Sequence, residues 1–231
     1  MPVTLLRDAS EAARQLLERN PGHDGLPLSA QMAHVYVARL PNLVRAVELL
    51  ATNELPTEAR AIGRALVETS LKLAYILQRK VGNELTDNAA AVRDQLALDV
   101  WDLERIEAAR MVAQAAPHAP GAFEASFLVT VATASARFKA RVTQRNLAEM
   151  AEAAGMADDH RLSFGPMSSD AHGSIEASRR SWADTNAEAI RKSLTVCARY
   201  ALIFLNLASQ LLGDEIGVTR ATELGLRLRQ L

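Results

Sequence analysis

Between Asp184 and Leu212 the chain carries a helical pattern with almost no polar face, and this stretch limits the rest of the fold more than any other. At about 100° per residue, Lys192, Arg199, Asn206 and Gln210 fall on one thin polar line, while Ile190, Leu194, Cys197, Leu202, Phe204, Leu205 and Leu211 cover the remainder. A helix apolar on nearly all sides is either the centre of a bundle or a membrane span. Arg199, Asn206 and Gln210 cut it into apolar runs far short of the ~20 residues a span needs. The pattern therefore predicts a central bundle helix, capped by Asp184 or Thr185 and closed by Gly213, with no membrane partner.

A central helix needs others around it, and the chain supplies them. Leu5, Leu6, Ala9, Ala13, Leu16 and Leu17 recur at three-and-four spacing until Asn20-Pro21-Gly22 stops them. A second helix opens at Pro27 and Ser29 along Met32, Val35, Tyr36, Leu40, Leu43, Val44, Val47 and Leu50, with a kink expected where Pro41 removes a backbone donor. Thr57 is the expected cap of a third helix ending at Gly82. A fourth runs from a Thr86-Asp87 cap to Val112 with Trp101 as an anchor, a fifth from about Gly121 to Ala154 with Gly155 as its cap, and Thr219 caps a short last one ending at Arg227-Leu228-Arg229. From 155 to about 182 the helical period fails, which predicts an irregular segment. The expectation is all-α: one antiparallel bundle of about six or seven helices in a single domain, 1–231.

Composition excludes several functions. With 26 Lys+Arg against 27 Asp+Glu the net charge is −1, neither a nucleic-acid coat nor an acidic tail, and 4% aromatic residues are too few for a base-stacking platform. One cysteine, Cys197, allows no intrachain disulfide and suits a reducing compartment; with no secretory signal pattern at the start, the expected location is the cytoplasm. The five histidines are scattered without metal-ligand spacing. Asp158-Asp159-His160 reads as a solvated loop, and no glycine-rich phosphate cradle occurs. No cofactor is expected.

The third helix carries the unusual feature. Its apolar residues fall in two sectors, Ile62, Leu66, Leu73 and Leu77 on one side and Val67, Leu71 and Ala74 on another. Between them runs a row of Arg64, Glu68, Lys72, Tyr75 and Arg79. On spacing alone the row is a solvated face of i,i+4 pairs, each contributing about 0.2–0.5 kcal/mol. A hundred residues later Ser168-Ser169-Asp170-Ala171-His172-Gly173-Ser174 is the one place where Ser, Asp and His crowd beside a glycine.

The segments R-A-L-V-E-T-S-L-K-L-A-Y-I-L (64 to 77), R-N-L-A-E-M-A-E-A-A-G (145 to 155) and F-G-P-M-S-S-D-A-H-G-S (164 to 174) together resemble the bacterial family catalogued as domain of unknown function 5677 over about residues 30 to 212. Arg64, Glu68, Phe164, Ser168, His172 and Gly173 match its R-x-x-x-E and aromatic-S-x-x-x-H-G pattern; Phe164 stands where Tyr is expected, which leaves a phenolic role there unsupported. The resemblance implies no reaction. It does imply that Arg64 and Glu68 face inward, toward His172.

Three functions follow for such a cluster. Arg64, Glu68, Lys72, Tyr75 and Phe164 could bind a small anionic ligand or an RNA-like partner, with His172 exchanging a proton and Ser168 beside it as the tentative catalytic pair. A metal-independent ribonuclease of the toxin or phage-defence kind is the alternative, although the Arg expected shortly before His172 is absent, the positions 165 to 168 being Gly165, Pro166, Met167 and Ser168. A structural network without a ligand is the third. Self-association is left open by the sequence.

Overall fold

The computed structural model describes residues 2–22, 26–78, 89–90, 92, 147–171 and 187–230. The chain divides into two compact units, Met1–Asn88 with Asn146–Leu231, and Ala89–Arg145. Nearly all described residues belong to the first, whose regular elements are helical throughout: α1 (Pro2–Arg19), α2 (Leu28–Thr52), α3 (Pro56–Leu77), α4 (Leu147–Ala153), a short helical segment over 157–171, and finally α7 (Ala187–Leu212) and α8 (Glu215–Leu228). This is the expected all-α multi-helix architecture. Most of the expected helices over 86–112 and 121–154, and the Asp184 and Thr185 caps, lie outside the described residues.

Helix α7 occupies the centre and packs against α1, α2, α3 and α8. Leu194, Cys197, Leu202, Phe204 and Leu205 are buried, and Lys192, Arg199 and Gln210 are exposed, as the wheel requires. By length and mean hydropathy, 26 residues and 1.3, it is the one described helix that could cross a membrane, but 56% of its apolar window is buried among the other helices. That is how a core helix satisfies its surface.

Boundaries follow local chemistry. Both Gly155 and Gly213 take left-handed backbone angles (φ 71° and 68°) and close their helices in the same way: in each case the glycine N–H bonds three residues back and the next N–H five back. The residue after Gly213 then starts α8. Asp214 Oδ1 accepts the Gly217 N–H at 2.7 Å, so Asp214, not Thr219, is the cap. Burial pushes the Asp214 carboxyl upward, but bonds from Arg19, the Gly217 N–H and Asn20 outweigh it and hold the group below its ordinary range. Arg19 and Asn20 thereby tie the end of α1 to this corner.

Two other boundaries differ from expectation. Leu55, without a side-chain cap, precedes α3, because Pro56 at the first position needs no donor and presets the helical φ; Thr57 is already inside the first turn. The helix stops at Leu77, where Gln78 turns to φ −54°, ψ 112°, instead of running to Gly82. Pro41 is accommodated within α2, which is helical on both sides of it.

The close approach of α3 and α7 sets the depth of the core. A Cβ added at Gly63 would lie 2.5 Å from Cys197 Sγ and 3.6 Å from Met167 Cε. Burial pushes the Cys197 thiol up to about 12, so it is an inert packing group. Gly63→Ala should therefore destabilise the fold by about 1–3 kcal/mol in denaturant titration, the usual cost of overpacking. In a Cys197→Ala background the added loss should shrink to less than half; an undiminished loss would show that the two atoms do not compete for the space.

Candidate functional site

Where an irregular loop was expected, residues 157–171 form a turn of α-helix (Ala157–Asp159, α5), a π-helical stretch (His160–Phe164) and a second α-helical piece (Gly165–Ala171, α6). Proline explains the wider turn. Pro166 has no N–H for an i−4 carbonyl, and the preceding Gly165 N–H reaches back five residues to the His160 carbonyl. One extra residue in a turn rotates everything beyond it by about 100°. The result brings His160, Phe164 and Ser168, each four apart, into one row. The remainder of the expected irregular stretch, 172–182, lies outside the described residues.

That row meets the charged row of α3, on which this segment and α4 pack. The solvated-face reading fails for Lys72 and Tyr75, which are 5% and 3% exposed, while Arg64 and Glu68 are half-buried with side chains 28% exposed. Lys72 Nζ sits 2.7 Å from Glu68 Oε1, and Arg64 lies 3.9 Å from the other Glu68 oxygen. Arg64 also donates to Ser168 Oγ at 3.4 Å and spreads its guanidinium 5.5 Å above the Phe164 ring, which stacks on His160 at 5.1 Å. An arginine on an aromatic face keeps its charge and its planar fork while its stem is dry. Phe164 supplies this platform without needing the hydroxyl of the expected tyrosine.

Of the sequence candidates, the structure thus brings Arg64, Glu68, Lys72, Phe164 and Ser168 together, with Tyr75 buried at the next turn of α3. His172, Gly173 and Arg79 lie outside the described residues.

Two flanking networks hold the segment in place. Arg60, one turn before Arg64, donates from Nε to Asp170 Oδ2 at 3.0 Å, from one terminal nitrogen to Ser193 Oγ at 3.1 Å and from the other to Thr57 Oγ1 at 3.2 Å. The Asp170 carboxylate is 1% exposed, so this is the most desolvated ion pair at the site. On the other side Asp159 Oδ1 accepts the Tyr200 hydroxyl at 2.6 Å and Arg199 at 2.9 Å, and the same hydroxyl shares a bond with Ser163 Oγ at 2.8 Å. Asp159 is consequently a half-buried anchor, not part of a solvated loop. Among the described residues no cluster of His, Cys, Asp and Glu could hold a metal ion.

Burial pushes the Tyr200 phenol up to about 12, and its bond to the Asp159 carboxylate adds to the shift. A raised phenol favours the folded state while it is neutral, so this contribution is intact below pH about 10 and is lost as pH rises through about 12. A difference titration of wild type minus Tyr200→Phe in the phenolate absorption band should show no ionisation of this group until near pH 12. Ionisation near the ordinary value of 10.0 would place the phenol in water.

Sequence reasoning passed over Arg60 and Asp170, although both carried a signal: Arg60 extends the i,i+4 row by one turn, and Asp170 lies inside the Ser-Asp-His segment. Tyr200 and Asp159 had none, because their contact joins positions 41 residues apart with no shared pattern.

Residues 31–189 match the model of a family of unknown function, DUF5677. The chain belongs to this family. The DUF5677 match contains α3 and the 157–171 segment whole, so both rows of the site fall within it, whereas α1, α8 and most of α7 fall outside. No curated protein and no solved structure shows detectable similarity to the chain.

Proposed function

We propose that the chain is a cytoplasmic helical module that binds a small anionic ligand at Arg64. The observation that supports this reading is the setting of its guanidinium: 28% exposed, 5.5 Å over the Phe164 ring and beside the Ser168 hydroxyl, with its partner Glu68 shared with Lys72. A phosphate or carboxylate offered to such a fork gains charge-assisted bonds without the cost of ordering a long side chain. Glu68, tied to Lys72, keeps the local balance from becoming strongly positive and favours a compact anion over a polyanion.

Titration with inorganic phosphate, followed by calorimetry, is expected to show saturable binding that weakens at least tenfold in Arg64→Ala and less in Arg64→Lys, which keeps charge but loses the fork. Equal binding by wild type and Arg64→Ala would exclude the reading. An oligoribonucleotide probe should bind no more tightly per phosphate than phosphate itself. Tighter binding, with RNA cleavage lost in His172→Ala, would favour the ribonuclease alternative. A purely structural role is the second reading, favoured by the way Arg60, Arg199 and Tyr200 each fasten the 157–171 segment to the bundle; absence of any anion binding, with a folded protein, is its outcome.

A further inference from the structure

A second site lies between α7 and α8, with all its lining residues outside the matched family span. Helices α7 and α8 run antiparallel from the Gly213 turn and splay to leave a cleft of about 550 Å³, lined by Leu202, Ile203, Ala221, Leu226 and Leu228 among others. That volume falls within the range of small-molecule pockets. Its polar groups are not scattered. Arg199 lies midway along α7 and Arg229 follows the end of the shorter α8, about equally far from the Gly213 turn, so antiparallel packing puts both guanidinium-bearing residues at one end of the cleft, while Asn206 and Thr222 line the other. Arg199 is partly balanced by Asp159; Arg229 is exposed and forms no ion pair among the described residues. The floor between them spans seven residues of α7, about 10 Å.

We infer that this cleft binds a short amphipathic carboxylate, its head at Arg199 and Arg229 and a tail of roughly eight carbons along the apolar floor. Two features limit the occupant. The Thr222 hydroxyl is spent on its own helix, bonding the Val218 carbonyl, and Asn206 Oδ1 is buried with no hydrogen-bond partner. Asn206 and Thr222 close the far end of the apolar floor, so a tail reaching past them leaves the leucine-lined stretch. Leu226, 55% exposed at the cleft, gains cover from such a ligand.

The cleft also contains its own blocking position. A Cβ at Gly225 would meet nothing within 4 Å, and the residue sits in a regular helix, so a larger side chain can enter the cleft without displacing backbone. The test uses the full chain and a series of straight-chain fatty acids. Affinity is expected to rise about fourfold per methylene from hexanoate to octanoate, and by less than twofold per methylene beyond. Octanol should bind at least tenfold more weakly than octanoate. Arg229→Ala should weaken octanoate at least fivefold, and Gly225→Leu should abolish binding while the melting temperature stays at or above that of the wild type. Equal affinity for octanol and octanoate, undiminished binding by Gly225→Leu, or no saturable octanoate binding would each overturn the inference.

Discussion

Asp170→Ala should be among the most damaging single substitutions outside the apolar core, with an expected loss of about 3 kcal/mol or more. The carboxylate is 1% exposed and accepts the Arg60 Nε bond, so its removal leaves the guanidinium facing a small apolar void. Breaking a buried pair from one side typically costs about 3–5 kcal/mol, because the remaining charge keeps its desolvation penalty and loses its partner. Arg60 is itself 19% exposed and retains Ser193 and Thr57, which places the expectation at the lower end of that range. Asp170→Asn keeps the shape and one acceptor, and should lose about half as much. A loss below about 1 kcal/mol for Asp170→Ala in denaturant titration would mean that the carboxylate is solvated.

Glu68→Ala is expected to cost more than about 2 kcal/mol, while Glu18→Ala, exposed on α1, should change stability by less than about 0.5. The asymmetry comes from Lys72. Its side chain is only 6% exposed and its ammonium pairs with Glu68, so the variant leaves a buried charge without that partner. Replacing the lysine as well should recover much of the loss: Glu68→Ala with Lys72→Met removes the buried charge and keeps the volume, and such apolar replacements of buried pairs are often neutral or stabilising. If the double variant is no more stable than Glu68→Ala alone, the stranded charge is not the cause.

The long helices were legible because their cores repeat the same few apolar spacings. Leu5 to Leu16, Met32 to Val47 and Leu194 to Leu205 each mark a buried face that local pattern alone defines. The interior position of the α3 row was not legible from its own spacing. Arg64, Glu68 and Lys72 at four-residue intervals are what an exposed, paired face looks like, and what buries them is a segment about a hundred residues away. Periodicity pointed the whole row outward, whereas Lys72 is 5% exposed and the side chains of Arg64 and Glu68 are 28% exposed. The covering segment was misjudged for a physical reason: a π turn adds one residue to the period, so a pattern search at 3.6 residues loses phase at His160 and takes Gly165-Pro166 for a break. Thr57 and Thr219 were mistaken for caps because residue type was weighed without position. Pro56 and Asp214, earlier in each sequence, already fix where those helices begin.

Everything proposed for the Arg64 site depends on the 157–171 segment lying on α3. The direct measurement is a double-mutant cycle between Arg60 and Asp170, residues 110 apart in sequence, with each changed to Ala alone and together and stability read by denaturant titration. A coupling of about 1.5–3 kcal/mol is predicted, with the double variant less damaged than the two single losses combined. Additivity to within about 0.5 kcal/mol would contradict the account, since two side chains that do not meet cannot share the cost of being parted.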